Sequence, residues 1–128
     1  MDVVLRRIYA PPGPSDGWRV LVDRLWPRGL SKAGAGVDEW LREVAPSASL
    51  RQWFGHDVAR WPEFSRRYRA ELGAEPAATA VAHLLAVGAG GRLTLLYAAR
   101  DEIHNNAWVL REHLLQAGSA GWIGCKPG

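Results

Sequence analysis

The order of apolar segments along the chain predicts an α/β fold: a single three-layer domain with a mixed sheet and helices on both faces. Two β-prone runs, 3–9 and 18–25, come first, and several segments with helical periodicity follow them. Residues 92–99 are almost continuously apolar, which is typical of a strand buried on both faces, and a last helical segment follows. The long, mostly helical stretch before 92–99 leaves room for a right-handed crossover from the second run. We therefore expect the second and third strands to be parallel neighbours at the centre of the sheet.

The connection between the first two strands, residues 10–17, is rich in proline and glycine and too short to hold a crossover helix. These strands are therefore predicted to be antiparallel neighbours or not adjacent at all. Odd–even alternation along the second strand puts Arg19 and Arg24 on opposite faces, and we expect Arg19 at the surface.

Turn and capping signals divide the middle of the chain. A turn of small residues over 30–36 is followed by 37–44, where apolar residues at helical spacing run up to a proline. A helix and an edge strand both fit 37–44, and the helix is our preferred interpretation. Four further helices are predicted: one capped by Ser47 or Ser49 and ended by Gly55, one from Asp57 to Gly73, one from Pro76 to about Val87, and one from about His104 to Ala117, closed by Gly118.

Length and composition predict one domain over 1–118 and a C-terminal tail over 119–128. The longest apolar run is far shorter than the roughly 18 residues that cross a bilayer, and no signal-peptide pattern is present. We therefore expect a soluble, cytoplasmic protein with no membrane partner. A single cysteine, Cys125, fits a reducing compartment and excludes a Cys-rich zinc site. The oligomeric state is left open.

Arginine dominates the positive charge of the chain. It outnumbers lysine 14 to 2, and the formal net charge is +3. Residues 1–69 hold 12 Lys+Arg against 8 Asp+Glu, whereas residues 70–128 hold 4 against 5. The planar guanidinium suits bidentate contact with phosphate or carboxylate. Codon bias in a genome rich in alanine, glycine and arginine explains the same excess without any function.

Polar residues follow both strands that we expect at the sheet centre. The loop 26–29 comes directly after the second strand, and the loop 100–106 comes directly after the buried strand. Because ligands bind beyond the carboxyl ends of parallel strands, these loops are expected to form one site. The second loop also opens a helix, whose free backbone N–H groups attract negative charge.

The site hypothesis assigns a role to eight residues. The anion is bound by guanidinium groups, protons are moved by an Asp–His pair, and an amide orients the ligand. The alternatives are internal ion pairs of the arginines with Asp23 or Asp101, and a capping aspartate beside a histidine satisfied by its neighbours. Two or three such groups are too few to predict a metal site, and we assign no metal and no cofactor. The predicted catalytic residues are Asp101 and His104, and the predicted ligand-binding residues are Arg24, Trp26, Arg28, Arg100, Asn105 and His56.

Short motifs that match one family are spread over roughly residues 5–116. They are Arg7-Ile8-Tyr9, the block from Val22 to Gly29, Ala45-Pro46-Ser47, Trp53-Phe54-Gly55-His56, Arg67-Tyr68, and Leu95 to Ala99 with Asp101, His104 and Asn105. Together they resemble the YeaO-like family of small bacterial domains of unknown function. The resemblance implies no particular activity, because the family has no established activity to carry over.

Three functions stay open. The first is binding, with or without turnover, of a small anionic metabolite, a phosphorylated one included. The second is a nucleic-acid-binding module that uses the basic first half and exposed tryptophans, although Trp40, Trp53 and Trp61 fall on apolar faces and no nucleic-acid motif is present. The third is a non-catalytic domain that binds other proteins. No nucleophile elbow, phosphate-binding glycine loop or dinucleotide fingerprint occurs in the sequence.

Overall fold

The computed structural model describes residues 1–125, with side chains described as far as Gly118. It contains a four-stranded sheet and four α-helices. The strands are β1 (Asp2–Arg7), β2 (Trp18–Leu21), β3 (Glu39–Trp40) and β4 (Arg92–Tyr97), and the helices are α1 (Ala48–Phe54), α2 (Trp61–Leu72), α3 (Ala77–Gly88) and α4 (Asn106–Cys125), with 3-10 turns at Arg42–Val44 and Val58–Arg60. No helix among the described residues is long and apolar enough to span a membrane.

The sheet has the order β1-β4-β2-β3, and every neighbouring pair is parallel. The predicted central pair is confirmed: β2 lies parallel to β4, with Val20 opposite Leu95. The first two strands, β1 and β2, are not adjacent, which was one of the two predicted alternatives, because β4 lies between them. The predicted mixed sheet is wrong, since β1 joins the far side of β4 in the parallel direction. The carboxyl ends of all four strands therefore lie along one edge, which we call the carboxyl edge.

The preferred prediction of a helix over residues 37–44 is wrong. Glu39–Trp40 forms a short edge strand, and only Arg42–Val44 turns as a 3-10 helix. Backbone hydrogen bonds to β2 explain this, because Asp38 N donates to the Arg19 carbonyl and Leu41 N to the Leu21 carbonyl, each at 2.9 Å. The edge strand, which was the other alternative, is the conformation in which these backbone groups form their hydrogen bonds.

The helices start and stop largely where the sequence indicates. Ser47 caps α1 by accepting a hydrogen bond from Leu50 N at 3.2 Å, and Gly55 ends it with a φ of 52°. Asp57 caps the 3-10 turn that precedes α2 rather than α2 itself. The last helix, α4, continues to Cys125 instead of closing at Gly118.

The main hydrophobic core lies on one face of the sheet. Alternate strand residues such as Val20, Leu93 and Leu95 meet buried residues from all four helices there. On the opposite face, Ile8, Leu21 and Leu96 form a smaller cluster. The partly buried residues packed on this second cluster are Trp26, Leu30, Val37, Trp40 and Ala98, none of them from a helix. In the described part of the chain, an irregular segment rather than a helical layer therefore covers the second face.

Arg19 corrects the expectation of a surface side chain, since it is only 4% exposed. Its Nη1 forms an ion pair with Asp16, and its Nε donates to the Gly36 carbonyl at 2.7 Å. Thr94 Oγ1 donates to the Asp16 carbonyl at 2.6 Å. Arg19 shares the second face of the sheet with Leu21, and the loops around Asp16 and Gly36 cover that face.

Candidate functional site

The arginines of the chain differ in whether a carboxylate neutralises them. Of the 14 arginines, seven form ion pairs with aspartate or glutamate: Arg6, Arg19, Arg60, Arg66, Arg67, Arg92 and Arg111. Among the described residues, the other seven form none: Arg7, Arg24, Arg28, Arg42, Arg51, Arg69 and Arg100.

All of the unpaired arginines except Arg69 belong to the carboxyl edge. Arg7 is the last residue of β1, and Arg42 follows β3 by two positions. Arg24 and Arg28 follow β2, and Arg100 follows β4. Arg51 lies on α1, close enough to Asp23 for its charge to lower the pKa of that carboxyl group. We call these six residues the arginine edge.

Two members of the arginine edge are held in place by neutral backbone oxygens. Arg7 Nε donates to the Ala99 carbonyl at 3.0 Å, and its Nη2 donates to the Ala98 carbonyl at 3.2 Å. Arg24 Nε donates to the Pro46 carbonyl at 3.1 Å. These bonds fix the guanidinium groups without cancelling their charge.

Trp26 and Arg28 lie on the side of the second face. Trp26 packs on the second cluster and contacts the Trp40 ring edge to face, with ring centroids 5.4 Å apart. Its Nε1 donates to the Leu30 carbonyl at 2.6 Å, so the ring has the contacts of a core residue. Arg28 is exposed, and its carbonyl accepts a hydrogen bond from Tyr9 Oη at 3.4 Å.

Asp101, His104 and Asn105 lie together in the loop between β4 and α4. Asp101 Oδ1 accepts hydrogen bonds from the backbone N–H groups of Ile103 and His104, each at 2.9 Å. Its Oδ2 lies 2.8 Å from His104 Nδ1. These backbone bonds, with the His104 ring, lower the pKa of Asp101 to about 2. Asn105 is buried and caps α4, accepting from Trp108 N at 2.9 Å.

The low pKa of Asp101 gives a pH prediction. A carboxyl group with a lowered folded-state pKa stabilises the fold above its unfolded pKa and loses that effect as pH falls through the folded value. We expect Asp101→Asn to be less stable than the wild type near pH 6, and the difference in urea midpoint to shrink as the pH falls from 4 towards 2. A difference that stays constant over this range would contradict the prediction.

His56 and His104 lie at the two ends of a row of aromatic rings. The His56 ring centroid is 6.2 Å from Phe54, Phe54 is 5.8 Å from Trp61, and Trp61 contacts His104 edge to face at 5.2 Å. No group of three or more His, Cys, Asp or Glu side chains is placed to hold a metal ion in the part of the chain that the structure describes.

Asp23 and Asn106 lie outside the predicted set of site residues, and they join the ends of the central strands. Asp23 Oδ2 accepts a hydrogen bond from Ala98 N at 2.9 Å, and Asn106 Nδ2 donates to the Val22 carbonyl at 3.0 Å. Burial raises the pKa of Asp23, although the Ala98 amide, the Asn106 side chain and the Arg51 charge oppose this. The position of Asp23 directly after an apolar run was the available signal.

A separate cleft of about 480 Å³ lies beside β3 and α3. Its lining includes Glu39, Glu43, Glu75 and His83 and no arginine. Glu39 Oε2 lies 2.8 Å from His83 Nε2. The carboxylates around this cleft make it unsuitable for an anion, so it is distinct from the arginine edge.

Comparison with known proteins gives one consistent result. Residues 2–121 match the family described as "Inactive DUF488-N3 subclade". The chain is 40% identical over 114 residues to the uncharacterised protein YeaO of Escherichia coli, covering 89% of this chain and 97% of that protein. Uncharacterised proteins of Mycobacterium bovis and Mycobacterium tuberculosis are each 38% identical over 112 residues, covering 88% of this chain and 92% of theirs. No solved structure matches.

Proposed function

The chain belongs to the YeaO-like family of uncharacterised bacterial proteins, in the DUF488-N3 subclade described as inactive, and on that premise we propose that it binds a small anion at the carboxyl edge without transforming it. The observation that carries the proposal is the arginine edge itself. Of the seven arginines that have no carboxylate partner among the described residues, six lie there, although the chain has 13 acidic residues.

The arrangement favours an anion for two physical reasons. A guanidinium group that donates only to carbonyl oxygens keeps its full charge, so a phosphate or carboxylate gains charge-assisted hydrogen bonds from it. Arg7 and Arg24 are also fixed by those carbonyl bonds before any ligand arrives. Fixing a side chain in advance lowers the entropy lost on binding.

The loop chemistry supports binding rather than turnover. Asp101 is charged and bonded to the backbone of its own loop, which suits a cap better than a proton carrier. His104 Nδ1 faces that carboxylate, and its ring packs against Trp61. In the proposed function Asp101, His104 and Asn105 therefore shape the loop, and Arg100 joins Arg24 and Arg51 as a ligand contact.

Calorimetric titration with inorganic phosphate tests the proposal. We expect a dissociation constant below about 1 mM, equivalent to roughly −4 kcal/mol, and a shallow dependence on salt. An absence of binding up to millimolar phosphate would refute the proposal.

The same titration with a short single-stranded DNA separates the small-anion function from the nucleic-acid alternative. A protein that contacts six or more DNA phosphates loses about a thousandfold in affinity between 50 and 200 mM salt. Binding of the DNA with that dependence, and not of phosphate, would support a nucleic-acid module instead.

A further inference from the structure

The cleft between β3 and α3 is formed by one side of each element. Alternation from β3 onwards puts Glu39 and Leu41 on the side of the main core, whereas Trp40 packs on the second face. The lining residues at the start of α3 follow the i, i+3, i+4, i+7 spacing of one helix face: Pro76, Thr79, Ala80 and His83. Most of these side chains are small, and the cleft of about 480 Å³ has the size of a site for a small molecule.

Three glutamates surround this cleft, and among the described residues none of them forms an ion pair with lysine or arginine. Glu43 is exposed in the turn after β3. Glu75 Oε1 accepts a hydrogen bond from Thr79 N at 2.9 Å, and Glu39 Oε2 lies 2.8 Å from His83 Nε2. Even when His83 is protonated, the lining keeps an excess of negative charge. The cleft therefore attracts cations, although the whole chain is positively charged.

Glu39 is charged at neutral pH. Burial alone would raise its pKa, but the hydrogen bonds from His83 and Trp18 outweigh burial and lower the pKa. Its Oε1 accepts the hydrogen bond of Trp18 Nε1 at 3.0 Å. Trp18 is 42% exposed, so an accessible indole ring lies next to this carboxylate. Aromatic rings attract ammonium groups, which adds to the preference for a cation.

The rest of the lining indicates what kind of cation fits. Leu41, Pro76 and Ala80 give the cleft an apolar wall between its carboxylates. A metal ion gains nothing from such a wall, whereas an alkyl chain is stabilised by contact with it. We propose that this cleft binds small organic cations in which an alkyl chain carries one or two ammonium groups. The proposal is independent of the arginine edge and stands whether or not an anion binds there.

Calorimetric titration of the wild type at low salt tests the proposal with cadaverine, a five-carbon diamine, and with the uncharged diol of the same chain length. Charge-assisted hydrogen bonds contribute enough for a preference of about tenfold or more. We expect saturable binding of cadaverine, at least about tenfold tighter than that of the diol. Equal affinities, or no saturable binding of cadaverine, would overturn the proposal. Binding of a pentalysine peptide but not of cadaverine would overturn it in favour of a protein partner.

A second pair of ligands tests the apolar wall. Pentylamine and ethylamine carry the same charge, and only the longer chain covers the wall. We expect pentylamine to bind at least about threefold more tightly, because each buried methylene group adds to the affinity. Equal affinities would mean that charge alone attracts the amines, and would overturn the cleft as their site.

The double variant Glu39→Gln with Glu43→Gln locates the site. Glutamine at position 39 keeps an oxygen for Trp18 Nε1, and we expect cadaverine to bind about tenfold more weakly or worse, once circular dichroism has shown that the variant is folded. Glu102→Gln with Glu112→Gln is the matched control, since it removes the same charge from residues that do not line the cleft. We expect the control to change the affinity less than about threefold. Equal losses in the two double variants would overturn the proposal.

A measurement on the wild type covers the case in which the double variant does not fold. The indole N–H of Trp18 reports on the cleft because it donates to Glu39. The indole N–H of Trp26 is the internal control, because it donates to the Leu30 carbonyl on the second face. In NMR spectra, cadaverine should shift the Trp18 signal saturably and leave the Trp26 signal in place. An unmoved Trp18 signal, or equal shifts of both signals, would contradict binding in the cleft.

Discussion

Replacing Arg19 with methionine is expected to lower the free energy of unfolding by about 3 kcal/mol. Breaking a buried ion pair from one side typically costs about 3–5 kcal/mol, because the other charge is left buried without its partner. The lower end applies here, since Arg6 Nε still lies 3.3 Å from Asp16 Oδ1. Arg19→Met also removes the donor to the Gly36 carbonyl. Arg19 thus no longer joins the loop of Asp16 and the loop of Gly36, which cover the second face.

Urea unfolding followed by tryptophan fluorescence measures this effect. Arg60→Met is the matched control, because Arg60 pairs with Asp57 where both side chains are about half exposed, and we expect it to cost less than about 1 kcal/mol. Adding Asp16→Asn to Arg19→Met should recover part of the loss, since it removes the stranded charge. Equal losses in Arg19→Met and Arg60→Met would show that Arg19 is not a buried attachment.

The double variant Arg24→Gln with Arg51→Gln is expected to weaken phosphate binding by about a hundredfold or more. Each lost charge-assisted hydrogen bond costs about 1.5–3 kcal/mol, and every 1.4 kcal/mol is a factor of ten. Titration of the purified variant with inorganic phosphate, after circular dichroism has shown that it is folded, measures the change.

Arg66→Gln with Arg69→Gln is the matched control for this double variant. It removes the same formal charge from α2, where Arg66 pairs with Glu63 and Arg69 bonds to Gln116. We expect the control to change the affinity for phosphate less than threefold. Equal losses in the two double variants would mean that net charge, and not the arginine edge, attracts the anion.

Much of the fold could be predicted because its signals are local. The apolar run that became β4 and the long segment before it were sufficient to predict a parallel central pair. Ser47 and Gly55 marked the ends of α1 through capping chemistry. The place of β1 could not be predicted, since it depends on which edge of the finished sheet is free. Arg19 was misplaced because alternation gives the face of a strand and not what covers that face.

The candidate site was predictable in location but not in composition. Arg28 and Arg100 could be placed at the carboxyl edge because each follows a central strand, and Arg24 because it lies near the end of the second predicted strand. Arg42 and Arg51 could not, since they reach the edge only through β3 and α1. The partner that Asp23 selects, Ala98 N rather than an arginine, is set by distances of a few ångströms that no residue pattern encodes.

The most direct test of the arginine edge is a phosphate titration followed by NMR of the arginine Nε–H groups and the backbone amides. We expect the largest shifts at Arg24 and Arg51 and at the amides of Ala98 and Asn106, all saturating with one dissociation constant. Shifts confined to the helix that carries Arg66 and Arg67, or no saturable shifts at all, would contradict anion binding at the carboxyl edge.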